Sequence, residues 1–358
     1  MRYRDLGVTG LKVSEISFGT IPILSGNVPV LPDYFSPDEE TAITVMEHAY
    51  NLGCTLFDTA IVPEYGDAEI KLGKFASHIG RERIIISDKA RFFYGNEMYN
   101  AVYESCRNLG TYADIYFVHQ VDEGNEDLTF GKYGAVDALN DLKAEGKIKF
   151  AGIASHYYDI LLRGAKDKRV DVLQGSGNIL ERGMLDRIGN EPLFKEKGLM
   201  INKVYAAGIL PSFFPIDTLL SAVLSYPVST ALIGIGTIDQ VEKAMLNEPH
   251  SFDIPTFSQV MSVLEKSFMP IPCHRCQRCR CKFGTEIHII FRQYNYYFLG
   301  KDYWALRKLD MGISESAMHC KKCTDMSCMK QCPQGINIPH TVQMIKQLVD
   351  IHIRNSLI

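Results

Sequence analysis

Eight of the ten cysteines of the 358-residue chain lie between Ile271 and Pro339, in two groups of four. The first, Cys273, Cys276, Cys279 and Cys281, runs C-x2-C-x2-C-x-C-K. The second, Cys320, Cys323, Cys328 and Cys332, runs C-x2-C-x4-C-x3-C and is closed by Pro333. Thiolates are soft ligands that suit iron–sulfur clusters and zinc. A cubane needs four of them around a compact core. Three can come from one tight loop, and the fourth must arrive from elsewhere to close the cage without strain. Zinc is served by two separated C-x2-C pairs, a need that four cysteines per group exceed. Disulfides need an oxidising compartment. Met1-Arg2-Tyr3-Arg4 runs into Asp5 without the apolar stretch of a secretory leader. The groups are therefore read as iron–sulfur ligands in a reducing, cytoplasmic setting. His274, Arg275, Arg278, Arg280 and Lys282 thread the first group. They read as compensation for the negative charge of a thiolate-bound cluster, ahead of a docking patch for an acidic electron carrier. Cys54 and Cys106 carry no motif and read as buried thiols.

A second constellation lies upstream: Asp58, Tyr65, Lys89 and His119. Each alone is weak, since a strand-end Asp or His is often only hydrogen-bonded and a Tyr often only packs. Together they can handle a proton. A Lys beside a Tyr favours the phenolate and lowers the phenol's pKa. An Asp keeps that Lys charged and oriented. A His can hydrogen-bond a carbonyl oxygen. The phenol then serves as general acid when a carbonyl accepts hydride, and as base in reverse.

The elements that would position these residues repeat one rhythm over residues 1–268. Short β-branched runs predict strands at 13–19, 55–58, 84–89, 114–119, 148–155, 170–174, 199–205 and 230–235. Amphipathic stretches predict helices at 39–52, 97–109, 135–145, 158–165, 216–225 and 238–246, the first with Ser36 as N-cap and Pro37 at its first position. Eight buried strands alternating with helices predict a parallel (β/α)8 TIM barrel, whose chemistry sits at the carboxyl ends of the strands. Pro255 and Pro270-Ile271-Pro272 mark the exit into a small tail domain, residues 269–358. Its aromatic stretch 286–309 reads as helical packing against the barrel, and 341–355 as a terminal helix. The composition is that of an ordinary globular protein, 46% apolar and 22% charged, with net charge −4 and pI about 6.2. No run of 18 apolar residues stands in it. Neither nucleic acid nor membrane is expected as a partner.

Phe57-Asp58-Thr59-Ala60, Tyr65-Gly66-Asp67-Ala68-Glu69, Ser87-Asp88-Lys89 and Val118-His119-Gln120, on a barrel entered through Tyr3–Ser14, resemble the aldo-keto reductase family. The resemblance reaches to about Leu246. It implies Tyr65 as proton donor, Lys89 and Asp58 as its tuners and His119 as carbonyl orienter. It further implies a nicotinamide cofactor. Ser155, His156 and Gln174 would lie at the carboxamide, with Asn178 following the pattern after Gln174. Asn202 stands where many members stack an aromatic ring, with Lys203 beside it. Gly234, Gly236, Thr237, Gln240 and Glu242 would lie along the phosphate and adenosine. The Arg that usually grips a 2′-phosphate would fall at Gly236 and the usual Asn at Ala244. Such a phosphate is poorly held without a cation, so both NAD(H) and NADP(H) stay open.

The tail resembles a ferredoxin-like extension found in one branch of that family, with two 4Fe–4S clusters. By that resemblance Cys273, Cys276, Cys279 and Cys332 bind one cluster, and Cys320, Cys323, Cys328 and Cys281 the other. The chain is thus expected to be an iron–sulfur oxidoreductase acting on a small carbonyl or alcohol, with a ferredoxin or flavodoxin-like carrier as candidate partner. Ile61, Phe92, Phe93, Tyr94 and Tyr157 suggest a partly aromatic pocket. Nicotinamide moves two electrons and a cluster one, so direct coupling calls for a flavin, for which the sequence shows no clear motif. The alternative is an electron-transfer or partner-binding subunit on a barrel scaffold that no longer uses nicotinamide.

Overall fold

A computed structural model describes residues 1–25, 36–246, 268–301 and 303–356. Eight parallel strands close into a barrel: β3 (Ile16–Gly19), β4 (Leu56–Asp58), β5 (Ile85–Ala90), β6 (Ile115–Val118), β7 (Phe150–Ala154), β8 (Val172–Ser176), β9 (Gly198–Asn202) and β10 (Thr230–Gly234), with β10 pairing back onto β3. Nearly every strand residue is buried, because helices cover the outer face and side chains fill the interior.

The stretch 13–19, expected as one strand, is two. β1 (Tyr3–Asp5) and β2 (Lys12–Ser14) form an antiparallel hairpin with Tyr3 opposite Ser14, and the chain bends at Glu15 before β3. Glu15 is buried and takes Arg2 at 2.7 Å and Arg4 at 3.3 Å, which pins the hairpin. Leu6 and Val13 of this hairpin pack with the interior residues Leu56, Phe117, Val172 and Met200. The hairpin plugs the amino-terminal end of the barrel and leaves the carboxyl end as the mouth.

The outer helices are α1 (Glu39–Asn51), α2 (Ala68–Ile79), α3 (Gly95–Leu109), α4 (Glu126–Phe130), α5 (Ala135–Ala144), α6 (Tyr158–Lys166), α7 (Gly183–Gly189), α8 (Ile216–Leu224) and α9 (Ile238–Met245). The cap of α1 is Asp38, not Ser36: its carboxylate accepts from the Thr41 amide at 2.8 Å, a stronger acceptor two residues later. α2 was not expected, since Lys71 interrupts its apolar face. That Lys is buried because its ammonium donates to Ile23 O, Ser25 Oγ and Pro37 O at 2.6–2.9 Å.

The tail adds α10 (Ile287–Gly300), α11 (Tyr303–Lys322), α12 (Ser327–Gln331) and α13 (Ile338–Ser356). The aromatic stretch between the cysteine groups is thus two helices, broken at Lys301 in the left-handed region (φ 51°). Ile290, Phe291, Ile313, Val342 and Ile345 build a core separate from that of the barrel wall. The expected exit at Pro255 lies outside the described residues.

Candidate active site at the barrel mouth

Asp58 ends β4, and Lys89 lies on β5 two residues beyond Ser87, so both side chains leave the strand on one face. Asp58 Oδ2 accepts from the Lys89 ammonium, while Oδ1 takes Ser87 Oγ at 2.6 Å and Gln174 Nε2 at 3.1 Å. Lys89 Nζ also donates to Thr59 O at 2.7 Å. Asp58 and Lys89 are each 1% exposed. Burial acts to discharge the ammonium, but Asp58, then Tyr65, hold its pKa above the ordinary lysine value.

Tyr65 closes a short 3-10 turn, Pro63–Tyr65, which brings its ring over the Lys89 ammonium, 5.1 Å from the ring centroid. The expectation of an acidified phenol needs correction here. Burial raises the Tyr65 pKa by more than Lys89 lowers it, and the net direction is up. The hydroxyl therefore stays protonated, as a proton donor must be. His119 follows β6. Burial, then the charges of Lys89, Arg91 and Lys203, push its pKa down to about 2. A neutral imidazole results, and its buried Nδ1 has no hydrogen-bond partner.

The expected cofactor residues fall in two places. Ser155, Gln174 and Asn202 stand at neighbouring strand ends around the mouth. Ser155 Oγ donates to Val121 O at 2.6 Å and accepts from Tyr157 N at 3.0 Å. Gln174 spends its amide nitrogen on Asp58 and leaves Oε1 buried and unbonded, as are Asn202 Oδ1 and Ser176 Oγ. Such orphaned polar atoms at one mouth suit an amide-bearing ring. His156 is half-buried, its pKa held well below the ordinary value by burial, then by Lys203 and Arg275. Asn178 takes the Leu180 and Glu181 amides on Oδ1 at 3.0 and 2.9 Å and donates to Lys203 O at 3.2 Å. Gly234, Gly236, Thr237, Gln240 and Glu242 lie instead along the turn after β10 and the start of α9. There Gln240 Oε1 accepts from Gly236 N at 2.8 Å, Thr237 caps the helix, and Glu242 faces His48 at 3.3 Å.

The cysteines assort across their sequence groups. Cys273, Cys276, Cys279 and Cys332 line one small cavity with Pro333, and the Cys279 and Cys332 thiols interact directly. Cys281, Cys323 and Cys328 all act on Cys320. All eight thiols are free. Burial raises the thiol of Cys273 to about 12 and that of Cys320 to about 11. Among the described residues no three His, Cys, Asp or Glu side chains stand as ligands of a single metal ion. A cubane does not require that convergence, since each thiolate takes a different iron.

The first cysteine loop sits against the barrel mouth. Gln277 donates to His156 O at 2.5 Å and accepts from Tyr158 N at 2.7 Å. Gly183 N donates to His274 O at 2.8 Å and Arg187 to Cys276 O at 3.0 Å. Tyr157 bonds Glu286, and Arg280 pairs with Glu123 and Asp159. Deeper in this seam Glu181 takes Arg275 at 2.8 Å and Arg292 at 3.6 Å. Among the partners that sequence reasoning missed, Ser87 offered a signal, two positions from Lys89 on one strand. Gln277, Glu181 and Arg292 sit in stretches with no recurring pattern.

A barrel with a buried Asp–Lys–Tyr group and a neutral His at its carboxyl end defines a class of carbonyl-handling oxidoreductase. The family model described as "Aldo/keto reductase family" matches residues 15–201, and the chain belongs to that family. It is 29% identical over 313 residues to L-galactose dehydrogenase of Arabidopsis thaliana, covering 73% of this chain and 94% of the relative. It is 26% identical to an NADH-specific methylglyoxal reductase of Escherichia coli, covering 58% of this chain and 67% of that one. A solved aldo-keto reductase from Pseudomonas aeruginosa matches with TM-score 0.58 and 25% identity, covering 68% of this chain and 93% of that one. The holo form of a Bacillus halodurans aldo-keto reductase shares the fold, with TM-score 0.59, 23% identity and coverage of 73% and 96%. Among the described residues no helix is long and apolar enough to cross a membrane.

Proposed function

We propose that the protein is a nicotinamide-linked iron–sulfur oxidoreductase that reduces a small carbonyl or oxidises the corresponding alcohol in the cytoplasm. The observation that carries this reading is the buried Asp58–Lys89–Tyr65 group opening onto neutral His119. Tyr65 passes a proton to the carbonyl oxygen. Lys89, held charged by Asp58, stabilises the phenolate that remains, and His119 orients the oxygen by hydrogen bonding. A bound nicotinamide supplies or takes the hydride. Gln174 Oε1, Asn202 and Ser155 would hold its carboxamide end, and Gly234, Gly236, Thr237, Gln240 and Glu242 would lie along the rest. The glycine at 236 offers a 2′-phosphate no guanidinium, which favours NAD(H).

In the tail, residues 269–358, Cys273, Cys276, Cys279 and Cys332 would hold one 4Fe–4S cluster and Cys320, Cys323, Cys328 and Cys281 the second. The crossed assortment of the thiols supports that division. Clusters there supply one-electron transfer to a ferredoxin or flavodoxin-like carrier, or simply brace the tail. A second reading, a barrel that no longer uses nicotinamide, is favoured by Gln240, which already occupies the Gly236 amide.

The test is Tyr65→Phe in the anaerobically purified holoprotein. Turnover of carbonyl substrates should fall about 10²–10⁴-fold, with iron content and quenching of NADH fluorescence unchanged. Wild-type protein that neither quenches NADH or NADPH nor turns over a carbonyl panel would instead establish the second reading.

A further inference from the structure

Among the described side chains, the seam between barrel and tail sets several cations around one carboxylate, Glu181. Arg275 is 3% exposed, and its Nη1 donates to Glu181 Oε2 at 2.8 Å. Its Nε and Nη2 are buried without a partner. Those two atoms form one edge of the guanidinium, the edge that grips an oxyanion through two parallel N–H bonds. Arg292 approaches the same carboxylate at 3.6 Å and lies over the Tyr296 ring, 4.9 Å from its centroid. Lys203 enters from the barrel side. The Asn178 amide donates to Lys203 O at 3.2 Å and to Glu181 Oε2 at 3.5 Å, so Lys203 and Glu181 share one anchor. The Lys203 charge acts on both His119 and His156, and that of Arg275 acts on His156 as well. Glu181 is one carboxylate among three cations. Buried charge left uncompensated is strongly unfavourable. Burial, then Arg292 and Arg275, drive the Lys203 pKa well below the ordinary value, which is the response of a cation short of an anion.

We propose that the free edge of Arg275, together with Arg292 and Lys203, binds a carboxylate of the substrate, so that the enzyme acts on oxo acids or hydroxy acids rather than on neutral carbonyls. This rests on the oxidoreductase reading above and names its substrate class. A substrate anchored there by its carboxylate can turn its carbonyl toward His119 and Tyr65. The phosphates of a nicotinamide have a separate segment, Gly234–Glu242, after β10. Two other roles are open to the same cations, the cofactor diphosphate and the charge of the neighbouring thiolate cage, and the experiment separates them.

The holoprotein is assayed with a series of oxo acids of increasing chain length, each against its methyl ester, in wild type, Arg275→Gln and Lys203→Gln. Iron content is checked throughout, because Arg275 lies between two cysteines whereas Lys203 does not. In wild type kcat/KM for at least one acid should exceed that for its ester about 10- to 100-fold, the worth of one or two charge-assisted hydrogen bonds. Either variant should erase the ratio, mainly through KM, while the Kd for NADH stays put. Turnover with acids no better than esters overturns the proposal and leaves the oxidoreductase reading standing. A variant that weakens NADH binding but keeps the acid preference assigns the cations to the cofactor and overturns it too. So does one that shifts only the midpoint potential of the clusters. Inorganic phosphate that raises the melting temperature through Arg275, when no oxo acid does, overturns the carboxylate in favour of a phosphate. Absence of any turnover and of NADH binding would sink the oxidoreductase reading itself.

Discussion

The barrel mouth and the seam with the tail both bury cations, and they treat them in opposite ways. At the mouth Lys89 meets one carboxylate, and Asp58 in turn has Ser87 and Gln174 on its other oxygen. Charge and hydrogen bonds close on each other. At the seam Arg275 and Arg292 meet Glu181, and one edge of Arg275 bonds to nothing. The first arrangement is complete without a ligand and suits a group whose only variable is a proton. The second is incomplete and suits a group that waits for an anion. A buried charge with its partner present is a structural device, whereas one without is an invitation to bind.

Breaking each pair should give different results. Asp58→Asn removes the carboxylate that keeps the sealed Lys89 ammonium charged. Loss of one partner of a buried pair costs about 3–5 kcal/mol, so this variant should show the largest fall in the urea midpoint, with turnover lost. Added salts should not restore it, because no anion can enter. Glu181→Gln removes the carboxylate of the seam and should cost less, about 2–3 kcal/mol by the same reasoning. Because the site can accept an anion, part of that loss should return when an oxo acid is added at millimolar concentration. Equal losses, or equal indifference to the acid, would erase the distinction between the two regions.

The mouth was legible in the sequence and the seam was not. Asp58, Lys89 and His119 stand at the ends of β-branched runs, where a parallel barrel must present them, and Tyr65 follows within one loop. Strand periodicity therefore carries the site with it. The two cysteine groups were legible because their spacing is short and local, whereas the crossing of Cys332 and Cys281 was an expectation from the resemblance and not from spacing. Glu181, Arg275 and Arg292 come from a barrel loop, a cysteine loop and an aromatic helix that nothing in local pattern joins. Arg275 was counted among the cations that compensate a cluster's charge, and its pairing with Glu181 at 3% exposure was not foreseen. α2 was missed for a related reason: Lys71 breaks its apolar face, and the carbonyls that satisfy it lie on other segments. The split of the first strand at Glu15 depends on Arg2 and Arg4, likewise outside the strand itself. Non-local pairing of polar groups is what a one-dimensional pattern omits.

The strand that carries Lys89 inward carries Asp88 outward, and there the chain uses a third way to bury charge. Asp88 is fully buried against Glu69, itself 3% exposed. Asp88 Oδ2 and Glu69 Oε1 each lack a donor. Burial first, then the charge of Glu69 and their mutual hydrogen bond, raise the Asp88 pKa well above its ordinary 3.8. A shared proton supplies the missing donor. The folded state therefore binds a proton that the unfolded chain releases near pH 4, and stability is greatest below that value. As pH rises toward the folded-state pKa the proton is lost and the two carboxylates repel, so this contribution falls. Asp88→Asn keeps a donor at the position at every pH. Its urea midpoint should decline less than that of wild type between pH 5 and pH 8, a smaller change than either cation-site variant gives at neutral pH. Parallel curves for the two proteins would show that the pair carries no shared proton. The outer face of β5 would then hold two charges as unrelieved as those of the seam.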